Sequence, residues 1–298
     1  MTRRMHLLCV LAAVFVAPIG VSAAGEMPAN VGPVLWQRSM NVFRRFDVAP
    51  EKMYEFYGGV LGLKQLDTFN VGNGTGVARF QAGDTQFKLT KRVGDRKYQP
   101  GGVRSATGLR LVTFMFPDEA ALTARFKAHG LPAPQFHAIE GTEREYALVD
   151  DPDGQPVELM IVPEKSDKAL NVVEIGLTVS DLEKSRAFYR DLVGLEELGP
   201  IEDPVFGGMK YSFLHGSTIV SLRSFGAKLP ADTGSGGIQY VVSDVDRVAA
   251  LAQRQHVTVE QPLSTLGGFQ LRTIWLNDPD GITNYFAETA QARRSRAP

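Results

Sequence analysis

Cysteine is nearly absent: the single Cys9 among 298 residues lies in an apolar N-terminal stretch. The rest of the chain therefore has no thiol for a disulfide, a cysteine zinc site or nucleophilic catalysis. A charge excess is missing too, because 32 Lys and Arg face 33 Asp and Glu, for a net charge of −1. Without a basic excess the chain has no general attraction for nucleic acid or anionic lipid, so neither is expected as a partner. The 44% of hydrophobic residues is enough for substantial cores.

The N-terminus has the pattern of a secretory signal. Arg3 and Arg4 precede an apolar run at 7–16, and Ala23 ends a Val-Ser-Ala sequence typical of a cleavage site. The run is about half the roughly 20 apolar residues that a spanning helix needs, so no stable membrane anchor is expected. We therefore expect residues 1–23 to be removed and the protein to be exported, periplasmic or secreted, by the general or the twin-arginine route.

The chain contains an internal repeat. FYGGVLGL at 56–63 recurs as FYRDLVGL at 188–195, and DPDG at 151–154 recurs at 278–281. Repetition after about 130 residues indicates a tandem duplication, and each unit divides again into two modules with the same order of elements. The predicted divisions are a first domain at 38–164 (modules 38–94 and 107–164), a second domain at 170–289 (modules 170–226 and 235–289) and a polar tail at 290–298.

The third module shows the order most clearly. Alternation at 171–179 predicts a strand, and Ser180-Asp181-Leu182-Glu183 predicts a capping box followed by a helix. Gly194 is placed to end that helix, and about three short strands follow. The DPDG sequences are interpreted as type I turns rather than metal sites, since Asp, Pro and Gly are preferred at their first, second and fourth positions.

The pattern S-D-L-E-K-S-x-x-F-Y-x-x-x-x-G-L at 180–195, with DPDG before the last strand of the even-numbered modules, resembles the vicinal oxygen chelate (VOC) superfamily. That superfamily includes glyoxalases, bleomycin and fosfomycin resistance proteins and extradiol dioxygenases. The resemblance covers 39–289. It implies an α+β fold of four βαβββ modules, paired into two VOC (glyoxalase-like) domains whose curled sheets surround a partly open cavity.

Metal-using members of the superfamily carry ligands near the start of the first strand and in the last strand of each module. Histidine and glutamate suit these positions because they bind a divalent ion that keeps open sites for substrate. Carried over residue by residue, the positions hold one carboxylate per predicted pair and no histidine. We therefore expect no cofactor, with a divalent metal as the alternative. The positions are Phe43, Lys88, Leu111 and Glu158 in the first pair, and Glu174, Ser221, Gly237 and Tyr285 in the second.

Each predicted cavity combines a cation with a carboxylate. Because buried charges need partners, we expect Lys88 to pair with Glu158, its ammonium in the place of a metal, and Glu174 to pair with Arg223. Arg45, Lys88 or Arg223 would then recognise an anionic group of a ligand. The predicted ligand-binding residues are Arg45, Lys88, Glu158, Glu174, Ser221, Arg223, Gln239 and Tyr285.

Three kinds of function are compatible with these residues. The main prediction is an exported protein that binds a small molecule, an anionic one among the options, between paired modules without a metal. The second is an enzyme: a metal-dependent lyase, isomerase or dioxygenase, or a metal-free one with Glu158 or Glu174 as general base and Tyr285 as acid. The third is a structural protein whose cavities have closed. Either a monomer or a homodimer is compatible with the duplicated chain.

Overall fold

The computed structural model describes residues 29–71, 76–163, 171–226 and 228–295. The signal predicted at 1–23 lies outside these residues. Within the described ranges, no helix is both long and apolar enough to cross a membrane.

The first two modules each contain a first strand, a helix and three further strands. Module 1 consists of β1 (Asn41–Phe46), α1 (Pro50–Tyr54) with a π-helical continuation (Glu55–Val60), β2 (Lys64–Asn70), β3 (Gly76–Ala82) and β4 (Thr85–Lys91). Module 2 consists of β5 (Gly108–Phe116), α2 (Glu119–Ala128), β6 (His137–Ala138), β7 (Glu145–Asp150) and β8 (Pro156–Ile161).

The last two modules repeat this order, and the predicted α+β class with βαβββ modules is confirmed. A short 3-10 helix (Gly32–Val34) precedes the first module, and α5 (Ala290–Arg294) lies in the predicted tail. Module 3 consists of β9 (Val173–Thr178), α3 (Leu182–Ala187) with a π-helical continuation (Phe188–Val193), β10 (Glu196–Glu202), β11 (Met209–His215) and β12 (Thr218–Arg223). Module 4 consists of β13 (Gly236–Val241), α4 (Val245–Arg254), β14 (Val259–Leu266), β15 (Leu271–Asn277) and β16 (Thr283–Glu288).

Helix α3 is capped one residue later than the sequence pattern predicts. The Asp181 side chain, not that of Ser180, accepts the Lys184 backbone N–H at 3.1 Å. Ser180 uses its own backbone N–H to bind the Asp280 carboxylate at 3.1 Å. Aspartate caps a helix as well as serine does, so the contact with the neighbouring module decides between the two. Aspartates also cap α2 and α4, at Asp118 and Asp244.

The sheets join modules that are not consecutive in the chain. Within each module the first strand lies at one side of the four-stranded sheet and has a free edge. β1 pairs antiparallel with β13, so modules 1 and 4 form one eight-stranded sheet, called sheet A. β5 pairs antiparallel with β9, so modules 2 and 3 form sheet B. The predicted pairs, modules 1 with 2 and modules 3 with 4, therefore do not each share a sheet, because an open edge needs only another first strand as its partner.

The DPDG turns connect the consecutive modules instead. Gly154 N–H donates to the Asp151 carbonyl at 2.8 Å, which is the predicted turn. The Asp153 carboxylate accepts the backbone N–H of Asp47 in module 1 at 2.9 Å. The turn at 278–281 binds module 3 in the same way. Sheets and turns together link the four modules into a closed ring.

The first aspartate of each turn is buried beneath a helix, but only one of the two has a cation beside it. The Arg44 guanidinium donates to Asp151 at 3.2 Å, and the Tyr57 hydroxyl donates to the same carboxylate oxygen at 2.8 Å. In the other half, Tyr189 donates to Asp278 at 2.9 Å. Leu177 occupies the place that corresponds to Arg44, so Asp278 lacks this cation.

Without a cation beside it, the Asp278 carboxyl group is strongly affected by its burial. Burial raises the pKa of Asp278 to about 7, with backbone donors opposing the shift only in part. The folded protein therefore holds a proton on Asp278 that the unfolded chain releases above about pH 4. Stability from this group is present at low pH and is lost as the pH rises to about 7.

We predict opposite effects for two matched substitutions. Asp278→Asn keeps the hydrogen-bond acceptor and removes the buried ionisation, so it should become more stable than wild type, by a few kcal/mol at most, between pH 4 and 7. Asp151→Asn leaves Arg44 buried without its counter-ion and should cost about 3–5 kcal/mol. Urea unfolding from pH 4 to 9 measures both. Equal destabilisation by the two variants at pH 8 would contradict this account.

Candidate functional site

The face of each sheet opposite its helices is called its cleft below, and in sheet A this face carries several of the predicted residues. Along β4, Phe87 and Leu89 are fully buried, and the Tyr57 ring of the helix lies 4.5 Å from the Phe87 ring. Strand alternation places Lys88 on the other face, where its register partner on β1 is Phe43. The sequence-predicted residues Arg45, Gln239 and Tyr285 are on this same face.

The sheet curls until its two ends touch. The Phe69 ring of β2 lies 5.5 Å from the Phe269 ring, in the turn between β14 and β15. These two elements belong to opposite ends of the sheet. The Arg79 guanidinium lies 5.3 Å from the Phe69 ring, and Arg79 is the register partner of Lys88. The aromatic contact therefore covers the face that carries Lys88.

Gly237 allows Phe43 to lie across the floor of this cleft. A Cβ at Gly237 would be 2.5 Å from Cζ of Phe43 and 2.4 Å from the Thr283 carbonyl oxygen. No side chain fits at those distances, so the family ligand position at Gly237 serves as space for an aromatic ring. Beside it, the Trp275 and Tyr285 rings pack edge to face at 5.2 Å.

Two cations flank the Phe43 ring. Lys88 Nζ donates to Gln239 Oε1, and among the described residues no carboxylate pairs with it. The Arg45 guanidinium lies 4.9 Å from the centre of the Phe43 ring and donates to the Thr233 carbonyl at 3.3 Å. Loss of water around these groups, reinforced by neighbouring cations, lowers the pKa of Lys88 to about 8 and that of Arg45 to about 9.

Glu260, an acidic residue near Arg45, already has hydrogen-bonding partners of its own. Glu260 on β14 accepts from the Arg96 guanidinium and from the Thr283 hydroxyl, the latter at 2.8 Å. Arg96 also lies over the Trp275 ring, at 5.7 Å. The charges of Glu260 and Asp232 oppose the fall in the pKa of Arg45 only in part, and neither acid is in direct contact with Arg45 or Lys88 among the described residues.

In the cleft of sheet B, the cations are paired with carboxylates of the protein. Both Glu174 oxygens accept from Lys210 Nζ, at 2.8 and 2.9 Å, and one also accepts from Arg223 at 3.3 Å. Arg223 donates in addition to Asp203 at 2.6 Å. Although burial opposes ionisation, Lys210 and Arg223 hold the pKa of Glu174 below its ordinary value. The predicted contact between Glu174 and Arg223 is thus present, within a larger network.

Glu158 lies in the same cleft and not beside Lys88. It is on β8 of sheet B, whereas Lys88 is on β4 of sheet A, so the predicted ion pair between them is wrong. Its Oε2 accepts from the Thr113 hydroxyl at 2.5 Å, and Thr113 is the register partner of Glu174 on β9. Burial and the nearby Glu174 charge raise the pKa of Glu158.

The donor sets do not fit a divalent metal. In sheet A the corresponding positions carry no carboxylate, and one of them is Lys88, whose ammonium group repels a cation. In sheet B the Glu174 oxygens are already engaged by Lys210 and Arg223. No cluster of three or more His, Cys, Asp or Glu able to hold a metal occurs in the described ranges. The eight positions divide as Phe43, Lys88, Gly237 and Tyr285 in sheet A, and Leu111, Glu158, Glu174 and Ser221 in sheet B.

The residues of the two clefts differ in part from those that the sequence predicts. Ser221 was predicted as a ligand contact, but its hydroxyl is buried against that of Ser212 at 3.0 Å. Lys210 lies two residues before Ser212 on β11, so the alternation of that strand was the signal that pointed to it. The other residues missed were Asp203, Arg79, Arg96, Glu260, Phe69 and Phe269.

A separate groove of about 640 Å³ lies on the helix side of modules 1 and 2. Phe56, Leu131 and Leu148 contribute to its mainly apolar walls, and the Glu55–His129 pair, 3.1 Å apart, lies at its border. None of the predicted site residues lines it.

Comparison with known proteins supports the observed fold. A family model described as the Glyoxalase/Bleomycin resistance protein/Dioxygenase superfamily matches residues 40–159 and 171–286. Glyoxalase I from Zea mays is 18% identical, with a TM-score of 0.65 over 86% of this chain and 92% of that chain. A candidate dioxygenase from Bacillus subtilis is 17% identical, with a TM-score of 0.59 over 86% of each chain. No curated protein matches the sequence. At these identities, the structural likeness is one of fold.

The two glutamates of sheet B should differ in their contribution to stability. Glu174→Gln removes the counter-ion of Lys210 and part of that of Arg223, so it should lower the free energy of unfolding by about 3 kcal/mol at pH 7. Glu158→Gln keeps an acceptor for Thr113 and should change stability by less than about 1 kcal/mol. Urea unfolding measures both. A larger loss in Glu158→Gln than in Glu174→Gln would refute the assignment of charges.

Proposed function

The chain belongs to the glyoxalase/bleomycin resistance protein/dioxygenase superfamily, and on that premise we propose that the cleft of sheet A binds a small anionic molecule without a divalent metal. The observation that carries the proposal is a pair of buried cations, Lys88 and Arg45, on one face of the curled sheet, whose direct hydrogen-bond partners in the described residues are neutral. A buried charge without a partner is costly, and an anionic ligand removes that cost.

The surroundings of the two cations favour an anion with an apolar body. Phe43 lies between them, and Tyr285 and Trp275 form a second aromatic wall. Gln239 is a neutral hydrogen-bonding group at the position of contact with Lys88. A carboxylate attached to a planar or aliphatic group matches this distribution of charge and apolar surface.

The cleft of sheet B is an unsuitable alternative for the same ligand. The cations Lys210 and Arg223 are already bound to carboxylates. Glu158 would also repel an approaching anion whenever it is ionised. We therefore assign anion binding to sheet A alone. Since each cleft is built from modules of one chain, a monomer suffices for binding.

We also propose export, on the evidence of the N-terminal pattern at 1–23. Expression of the full chain in a Gram-negative bacterium should give a periplasmic protein whose first residue is Ala24. Edman sequencing or intact mass of the periplasmic fraction tests this. Recovery of uncleaved chain in the cytoplasm, under conditions where a reference exported protein is processed, would contradict it.

If the binding proposal is right, the affinity for a small molecule depends more on its negative charge than on its shape. In a panel of small carboxylates such as acetate, benzoate and phenylacetate, at least one should bind and quench Trp275 fluorescence, whereas its neutral amide should bind at least about tenfold more weakly. Affinity should fall as the pH rises through about 8, because the pKa of Lys88 is about 8 and its ammonium loses its charge. Titration calorimetry at pH 6.5 and 9 provides a second measurement.

Matched lysine variants complete the test. Lys88→Met should weaken carboxylate binding at least about tenfold. Lys64→Met, at an exposed position on β2 of the same sheet, should leave it unchanged. Equal binding of acids and amides, or no binding of any acid at millimolar concentration, would refute the proposal. A stoichiometric divalent ion that copurifies with wild type and is absent from Glu158→Gln would instead support the metal-dependent lyase, isomerase or dioxygenase.

A further inference from the structure

Lys88 and Lys210 show two states of a lysine on the concave face of a sheet. Lys210 donates to both oxygens of Glu174, so an adjacent carboxylate stabilises its charge. Lys88 donates to the neutral Gln239, and its register partner on β3 is another cation, Arg79. A lysine in partly desolvated surroundings beside a second cation is an activated amine rather than a salt-bridge partner.

We infer that Lys88 is a nucleophile that forms an imine with a small oxo acid, an aldehyde or ketone that also carries a carboxylate. The inference rests on the proposed anion-binding function, because Arg45 holds the carboxylate of the same molecule. It assigns to Lys88 a covalent role that the binding of an anion alone does not require.

The protonation of Lys88 supports this role. Loss of water and the Arg79 charge lower its pKa to about 8. At pH 7.4 roughly a fifth of such amines are neutral, against about a thousandth for an ordinary lysine. The nucleophilic form is therefore available near neutral pH without an adjacent carboxylate base.

The reaction is balanced with the groups of the cleft. The lone pair of Lys88 Nζ attacks the carbonyl carbon, and a C–N bond forms as the carbonyl oxygen gains a proton. Loss of that oxygen as water, with two protons supplied by the amine, leaves a carbon–nitrogen double bond, and nothing is oxidised or reduced. Gln239 Oε1 accepts from the amine and orients it. Tyr285, the register partner of Gln239 on β16, lies on the same face, and burial raises its pKa so that it stays a hydroxyl donor for the departing oxygen.

The positions of Lys88 and Arg45 suit a compact substrate with two functional groups. Phe43 is the register partner of Lys88, and Arg45 follows it by two residues on the same face of β1. The guanidinium rests 4.9 Å from the centre of the Phe43 ring. An oxo acid lying over that ring places its carbonyl group toward the amine and its carboxylate toward the guanidinium.

Reductive trapping tests the imine directly. Wild-type protein is incubated with glyoxylate, pyruvate or phenylglyoxylate and sodium cyanoborohydride at pH 7.4, and the modified lysines are located by peptide mass spectrometry. With at least one probe, Lys88 should be modified at least about tenfold faster than the exposed Lys64. The modification should saturate with probe concentration and increase from pH 6 to 8 as the amine loses its proton.

Variants separate covalent reaction from folding and from binding. Lys88→Arg keeps a cation in the cleft and should give no adduct at residue 88, with circular dichroism and the thermal midpoint reporting an intact fold. Arg45→Met should raise the concentration of oxo acid needed for half-saturation at least about fivefold while leaving Lys88 modifiable. Lys64→Met should behave as wild type at Lys88.

The outcomes distinguish this inference from the function on which it rests. If a carboxylate quenches Trp275 but Lys88 is trapped no faster than Lys64, imine formation is refuted and anion binding stands. If no carboxylate binds and no adduct forms, both fail. Trapping of Lys88 that is insensitive to Arg45→Met would refute the recognition of the carboxylate by that arginine.

Discussion

The free edge of the first strand in each module is the constraint on which the structure depends. A four-stranded sheet that ends in an exposed first strand presents unpaired backbone groups, and pairing removes that exposure. β1 meets β13 and β5 meets β9, both antiparallel. This pairing decides which side chains share a cleft. Lys88 faces Gln239 rather than Glu158, and Glu174 lies beside Glu158 rather than opposite Tyr285.

The strands, helices and turns within each module are predictable from the sequence, but the choice of which modules share a sheet is not. Alternation, aspartate caps and the DPDG turns identify strands, helices and connections because these signals act over a few residues. The contact of Glu174 with Arg223 was predictable for the same reason, since both lie in module 3 and their strands β9 and β12 pair in parallel. The predicted ion pair between Lys88 and Glu158 was wrong because the two residues lie in different modules, and their contact depends on which modules share a sheet. All four first strands are compatible with one another, so no local pattern makes that choice.

Duplication allowed the two clefts to diverge in how they balance charge. In sheet B, a lysine and an arginine neutralise Glu174, and the network is largely satisfied within the protein. In sheet A, the positions equivalent to Glu174 and Glu158 carry no carboxylate, and Lys88 and Arg45 lie beside aromatic rings. The two clefts also differ in shape. In sheet A, the Phe43 ring fills the space beside Gly237 that a side chain at position 237 would occupy. The cations of one cleft are thus paired with carboxylates of the protein, whereas those of the other have no carboxylate in direct contact.

A lysine at a position where relatives of the superfamily place a metal ligand changes the available chemistry. A bound divalent ion and an ammonium both attract oxygen anions, but the ion offers several coordination positions while the ammonium offers three donors. The ammonium can also lose a proton, which exposes a lone pair that can form a covalent bond between substrate and protein. The surroundings differ between the two lysines: Lys210 forms an ion pair with Glu174, whereas Lys88 contacts the neutral Gln239, and burial together with Arg79 lowers its pKa to about 8. The absence of one carboxylate beside Lys88 is therefore the difference on which both the proposed recognition of an anion and the proposed covalent chemistry depend.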